Sequence, residues 1–136
     1  SWLMACIWPE HETRRQRLIA AAAVVAADPP RLIRGDLVTE IDAAIESAPA
    51  DTTVVVFHSA MLNYVDAHAR GEFAERLSGH RDVVWLSNEA PKVIATISTE
   101  LKPPAFANTA TYFVVGRDGS TPLALSDPHG SWLAGA

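Results

Sequence analysis

Cysteine is nearly absent: Cys6 stands alone in a chain of 136 residues. No intrachain disulfide can form, which argues against a small stapled secreted domain. A thiolate zinc site within one chain is excluded on the same ground. No apolar stretch of about 18 residues runs without a charge, so nothing in the sequence reads as a membrane span. Long runs of one charge sign are missing as well. Eleven Lys and Arg face sixteen Asp and Glu, and the formal net charge is −5. That argues against a nucleic-acid surface built on bulk charge and leaves small ligands and protein partners. Glycine is sparse, with seven scattered residues. None forms a G-x-G turn after a strand, so the nucleotide-cradling loop of that type is missing. Repeats and low-complexity segments are absent.

What is present is ordinary globular material, 49% apolar and 20% charged, enough for one domain with a real core over residues 1–136. The first residues, Ser1 to Trp8, are apolar without a basic flank or a cleavage site, so they do not read as a signal peptide. They look like an apolar run cut from something longer, and the expected location is cytoplasmic. Pro9, Glu10 and Glu12 suit a helix start, and Arg14 to Ala27 are strong helix formers stopped by Asp28-Pro29-Pro30. Arg31 to Arg34 reads as a short strand. After Gly35, Asp36 is placed to cap a helix from Leu37 to Ser47. Thr53-Val54-Val55-Val56-Phe57 is a continuous β-branched and aromatic run, the pattern of a strand buried on both faces. A helical stretch follows, with Asp66 as a cap, Phe73 and Leu77 facing inward, and Gly79 past its end. Val83 to Leu86 is the next buried strand. Val93, Ile94, Ile97 and Leu101 fit one face of a helix. Thr109–Val115 and Thr121–Ser126 are two strands joined by a Gly-flanked loop, which predicts an antiparallel hairpin.

Alternating helices and apolar strands predict an α/β fold: a mostly parallel sheet, covered on both faces, that closes with an antiparallel hairpin. In open sheets of this kind, ligands gather outside the carboxyl ends of the parallel strands. Those ends carry Gly35-Asp36, His58-Ser59 and Ser87-Asn88-Glu89.

Trp8-Pro9-Glu10-His11, Arg34-Gly35-Asp36, Val55-Val56-Phe57-His58-Ser59-Ala60, Val84-Trp85-Leu86-Ser87-Asn88-Glu89 and Leu125-Ser126-Asp127-Pro128-His129-Gly130 together resemble a bacterial family known only as domain of unknown function 2332. That resemblance spans nearly the whole chain and corresponds to the C-terminal half of the family. It implies a Rossmann-like three-layer sandwich of the class I methyltransferase type, with S-adenosylmethionine as cofactor of the full-length protein. In that fold the fourth strand lies beside the first, and the last strand inserts between the fifth and sixth. The family's cofactor loop and first two strands would lie upstream, so the resemblance implies a fragment that binds no cofactor alone. It further implies that the Thr53–Phe57 strand has an open or intermolecular edge on the side of Arg31–Arg34. The missing N-terminal part, or a second copy in a homo-oligomer, would fill it.

On this reading Gly35, Asp36 and Leu37 contact the cofactor, with Asp36 accepting from the adenine amino group. The plainer reading of Asp36 is a helix cap. His58, Ser59, Asn88 and Glu89 are the catalytic candidates, orienting the acceptor and taking its proton, histidine being suited to that near neutral pH. The plainer reading is a histidine satisfied by a backbone carbonyl, with Ser59 capping the next turn and Asn88 and Glu89 solvating the turn before Pro91. A Ser-His-Asp triad of Ser59, Asp127 and His129, which would make a hydrolase, is disfavoured because the last strand should carry Asp127 to the opposite edge. No G-x-S-x-G elbow surrounds Ser59 either. No spacing supports a metal site. A small-molecule methyltransferase, or a non-catalytic methyltransferase-like module for protein association, are the two functions that remain.

Overall fold

The computed structural model describes residues 2–107 and 111–135 and divides the chain into two compact units, Ser1–Arg34 and Gly35–Ala136. The first unit holds two helices, α1 (Trp2–Ala5) and α2 (Glu12–Ala27). Glu12 anchors the start of α2 by accepting from Arg15 Nε at 2.7 Å and Gln16 Nε2 at 2.6 Å. Arg15 is thereby satisfied near a helix end that disfavours cations. At the other end, Asp28 N donates to Val24 O, and the two prolines then prevent another turn.

Arg31–Arg34 is not a strand. Only Leu32 and Ile33 are apolar there, where a buried strand needs a run of about four or more.

The second unit contains α3 (Leu37–Glu46), β1 (Val54–Ser59), a short 3-10 turn (Leu62–Tyr64), α4 (Ala67–Gly79), β2 (Val83–Glu89), β3 (Phe113–Arg117), β4 (Thr121–Ser126) and β5 (Leu133–Gly135). The five strands lie in sequence order, β1-β2-β3-β4-β5. β1 and β2 are parallel and in register from Val54↔Val83 to Ser59↔Asn88. Each later neighbour is antiparallel. The sheet is therefore mixed, not mostly parallel. β3, the first strand of the hairpin, is the neighbour of β2, where the resemblance to methyltransferases implied the second. β1 forms an edge, with no partner on its outer side among the described residues.

The expected helix after β2 is replaced by tight turns. Val93 N donates to Ala90 O and Ile97 N to Ile94 O, both three residues back. Pro91 lacks a donor, and Lys92 adopts φ 72°, so an α-helical ladder cannot run through them. Ile94 is nonetheless buried. An antiparallel return from β2 needs no crossover helix, unlike a parallel one.

The hairpin between β3 and β4 is as expected, although Thr109 and Ala110 lie outside the described residues. Asp118 (φ 50°) and Gly119 (φ 68°) are the turn's central residues. Two successive positive φ values match the right-handed twist of the flanking strands. Asp118 also fastens the turn to β2, its Oδ1 accepting from Trp85 N at 3.0 Å and its N donating to Trp85 O at 2.8 Å.

Val38 of α3, Phe73 and Leu77 of α4, Trp85 of β2, Leu62 and Ile94 form the core, with Val56 packed against it. Within this unit both long helices thus lie over the face that carries Val56, His58, Trp85 and Ser87. On the other face Val55 is 52% and Phe57 64% exposed. The apolar run of β1 is covered on one side, against the expectation of two covered faces and three layers within the unit.

Candidate functional site

In-register parallel pairing brings the ends of β1 and β2 together, and strand alternation then decides which side chains share a face. His58 and Glu89 fall on the helix-covered face, Ser59 and Asn88 on the open one. The four catalytic candidates therefore form two pairs separated by the sheet.

His58 and Glu89 are buried, at 8% and 2% exposure. His58 Nδ1 lies 2.8 Å from Glu89 Oε1, and His58 Nε2 lies 2.9 Å from Trp85 Nε1. The indole N–H is only a donor. His58 Nε2 must therefore accept, and the imidazole proton sits on Nδ1 and is donated to Glu89. The ring is held edgewise to Phe73, centroids 5.7 Å apart. Glu89 Oε1 also accepts from Met61 N at 3.0 Å and Leu62 N at 3.1 Å. Ala60 turns the chain out of β1 at φ 56°, and its N donates to Asn88 O at 3.0 Å, which aims those two N–H groups inward. Both nitrogens of His58 are thus occupied within the core, by side chains and not by the backbone carbonyl of the plainer reading. Glu89 Oε2 is buried without a hydrogen-bond partner among the described residues. It borders a cavity of about 10 Å³, which also touches Ile94, Ile97 and Val114, close to the space of one water.

On the open face, Asn88 Nδ2 donates to Ser59 Oγ at 3.1 Å, while Ser126 Oγ donates to Asn88 Oδ1 at 2.8 Å. This rim spans β1, β2 and β4. Ser59 is exposed and Ser126 buried. The sequence reading missed Ser126. Two successive antiparallel steps restore the original direction, so β4 runs parallel to β2 and ends at the same edge. The expectation that Asp127 falls at the opposite edge is corrected accordingly. No triad forms even so, because Asp127 Oδ1 accepts from His129 N at 2.8 Å and Ser131 N at 3.2 Å, shaping its own turn.

Gly35, Asp36 and Leu37 begin α3. Asp36 Oδ1 accepts from Val38 N at 2.9 Å and Thr39 N at 3.3 Å, a side-chain cap of the expected kind. A Cβ on Gly35 would stand 2.3 Å from Glu40 Cγ, so the close approach of Glu40 requires glycine. Leu37 packs against the core. No hydrogen bond joins these three to the rim of β1 and β2 among the described residues. Asp66 caps α4 in the same way, through His68 N and Ala69 N. Those hydrogen bonds, that from Ala69 first, hold its carboxyl below the usual aspartate range.

Among the described residues, no three His, Cys, Asp or Glu side chains are grouped to hold a metal ion. No described helix is long and apolar enough to cross a membrane. No curated protein and no solved structure matches the chain. A family model does match, over residues 1–134, and its description is "Uncharacterized protein conserved in bacteria (DUF2332)".

Proposed function

We propose, for a chain that belongs to the uncharacterized bacterial family DUF2332, a place in a Rossmann-like, S-adenosylmethionine-dependent methyltransferase-type domain, as the half that holds the acceptor. The observation that carries this reading is the parallel β1–β2 pair, whose carboxyl ends meet in the Ser59–Asn88–Ser126 rim beside an open strand edge. Carboxyl ends of parallel strands are where α/β sheets bind ligands. The exposed Ser59 hydroxyl and the second N–H of Asn88 supply hydrogen bonds there. With His58 and Glu89 committed to the core, the rim contributes alignment rather than proton transfer.

The described residues do not by themselves make a cradle for S-adenosylmethionine. The two glycines with positive φ, Gly119 and Gly130, lie in the hairpin turn and beyond β4, and neither follows β1 or β2. The cofactor would fall to strands pairing with the outer edge of β1, and Asp36 would offer it only its Oδ2, since Oδ1 is spent on the cap.

Calorimetric titration of the full-length protein with S-adenosylmethionine tests this. Binding is expected, weakened about tenfold by Asp36→Ala, the size of one lost hydrogen bond. Asn88→Ala should lower methyl transfer and leave cofactor affinity in place. Absence of heat at millimolar cofactor would overturn the proposal. It would favour instead a non-catalytic module for protein association, for which the exposed Val55 and Phe57 speak.

A further inference from the structure

A cleft of about 330 Å³ lies between the first half of α4 and the turns after β2. α4 follows the carboxyl end of β1, and those turns follow the carboxyl end of β2, so both walls belong to the sheet's ligand end. Among the described residues, Arg70 and Lys92 are the only charged ones in the cleft lining, and both are cations. Carboxylates outnumber cations sixteen to eleven in the whole chain, so a cleft charged by cations alone runs against the composition. Neither residue has an ion pair or side-chain hydrogen bond among the described residues. Carboxylates near these two cations in sequence make no ion pair with them among the described residues. Asp66 is held by the α4 cap, Glu72 lies 3.8 Å from His68, and Glu89 borders a different cavity that Lys92 also touches, without an ion pair between them. Arg70 is half-buried. Lys92 occupies a left-handed backbone position, φ 72°, that glycine would hold without strain. Apart from Thr96, whose hydroxyl donates to Gly119 O, the rest of the lining is apolar, including Ala67, Gly71, Ala74 and Val93.

We infer that this cleft binds a small molecule carrying a phosphate group. A guanidinium presents a planar fork to two oxygens and an ammonium adds a compact charge, together balancing a dianion. Ala67, Gly71, Ala74 and Val93 give an apolar body room to lie flat. The site stands independently of the methyltransferase-type assignment, since no cofactor takes part in its test.

Backbone amide NMR of the full chain, titrated separately with inorganic phosphate and phenyl phosphate, reads the site directly. Shifts should concentrate at residues 67–74 and 92–96, and phenyl phosphate should bind several-fold more tightly than phosphate. Arg70→Gln and Lys92→Gly should each weaken binding at least fivefold. Lys92→Gly also relieves the left-handed strain, so its thermal midpoint should hold or rise, which separates lost binding from lost folding. Shifts spread evenly over surface cations, or affinities unchanged in both variants, would overturn the inference.

Discussion

Glu89 Oε1 serves three donors at once: the His58 imidazole and the backbone N–H groups of Met61 and Leu62. Removing the carboxylate leaves all three without that acceptor in a buried site. Glu89→Ala should therefore destabilise the chain by about 3 kcal/mol or more in urea unfolding, because each unsatisfied buried donor costs roughly 1–3 kcal/mol. Ser59 lies next to His58 in sequence but on the open side, and Ser59→Ala should change stability by less than about 0.5 kcal/mol. Equal losses for the two variants would contradict the division of the rim into a packed pair and a free pair. Asp36 carries a second, separable effect. Its side chain holds two N–H groups of α3, so Asp36→Ala should cost about 1 kcal/mol, and Asp36→Asn much less, in the same assay.

Among the elements, the β3–β4 turn and α4 show how differently glycines behave. A Cβ on Gly119 would stand 2.5 Å from Trp85 Cζ3, at φ 68°. Gly119→Ala should then cost about 1–3 kcal/mol in thermal or urea unfolding, from left-handed strain together with the ring collision. Nothing stands within 4 Å of a Cβ on Gly79. That residue ends α4 without a positive φ, rather than lying past the helix as a left-handed cap, and Gly79→Ala should be neutral or mildly stabilising in the same assay.

The Asp118-Gly119 turn, the Asp36 and Asp66 caps and the β-branched runs of β1 and β2 were all legible because each rests on local chemistry. Coverage of the sheet was not. Val54-Val55-Val56-Phe57 is equally apolar whether one face or two are packed, and the decision lies with elements remote in sequence. Residues 90–97 misled for a related reason. Isoleucines three apart fit a helix face, yet they fit two consecutive tight turns equally well, and Pro91 with Lys92 selects the turns. The reversal between β2 and β3 left no local mark, so the direction of β4 and the arrival of Ser126 beside Asn88 could not be read. His58 was visible as a strand-end histidine, but its face depended on the register with β2.

At the scale of the whole second unit, α3 and α4 are joined through one exposed carboxylate. Asp42 accepts from His80 Nε2 at 2.9 Å and from Arg76 Nη1. The His80 contact first, and Arg76 next, hold the Asp42 carboxyl below the usual aspartate range. A carboxyl depressed in the folded state adds stability that is complete above its unfolded value and is lost as pH falls through its folded value. The unfolding midpoint should accordingly drop on acidification below about pH 4, and drop less in Asp42→Asn. Because the group is exposed, salt should narrow the difference between the two proteins at neutral pH. The open edge of β1 and the exposed Phe57 are also properties of the unit as a whole. On the proposed reading they are where further strands or a partner would join it, whereas the buried His58–Glu89 pair on the other face serves stability.

That division depends on His58 being part of the core rather than a reactive group at the rim. A long-range proton–nitrogen correlation spectrum of the His58 imidazole tests it most directly. The account predicts a proton on Nδ1, an unprotonated Nε2 accepting from the Trp85 indole, and slow exchange with solvent. A proton on Nε2, or one exchanging freely with water, would contradict it.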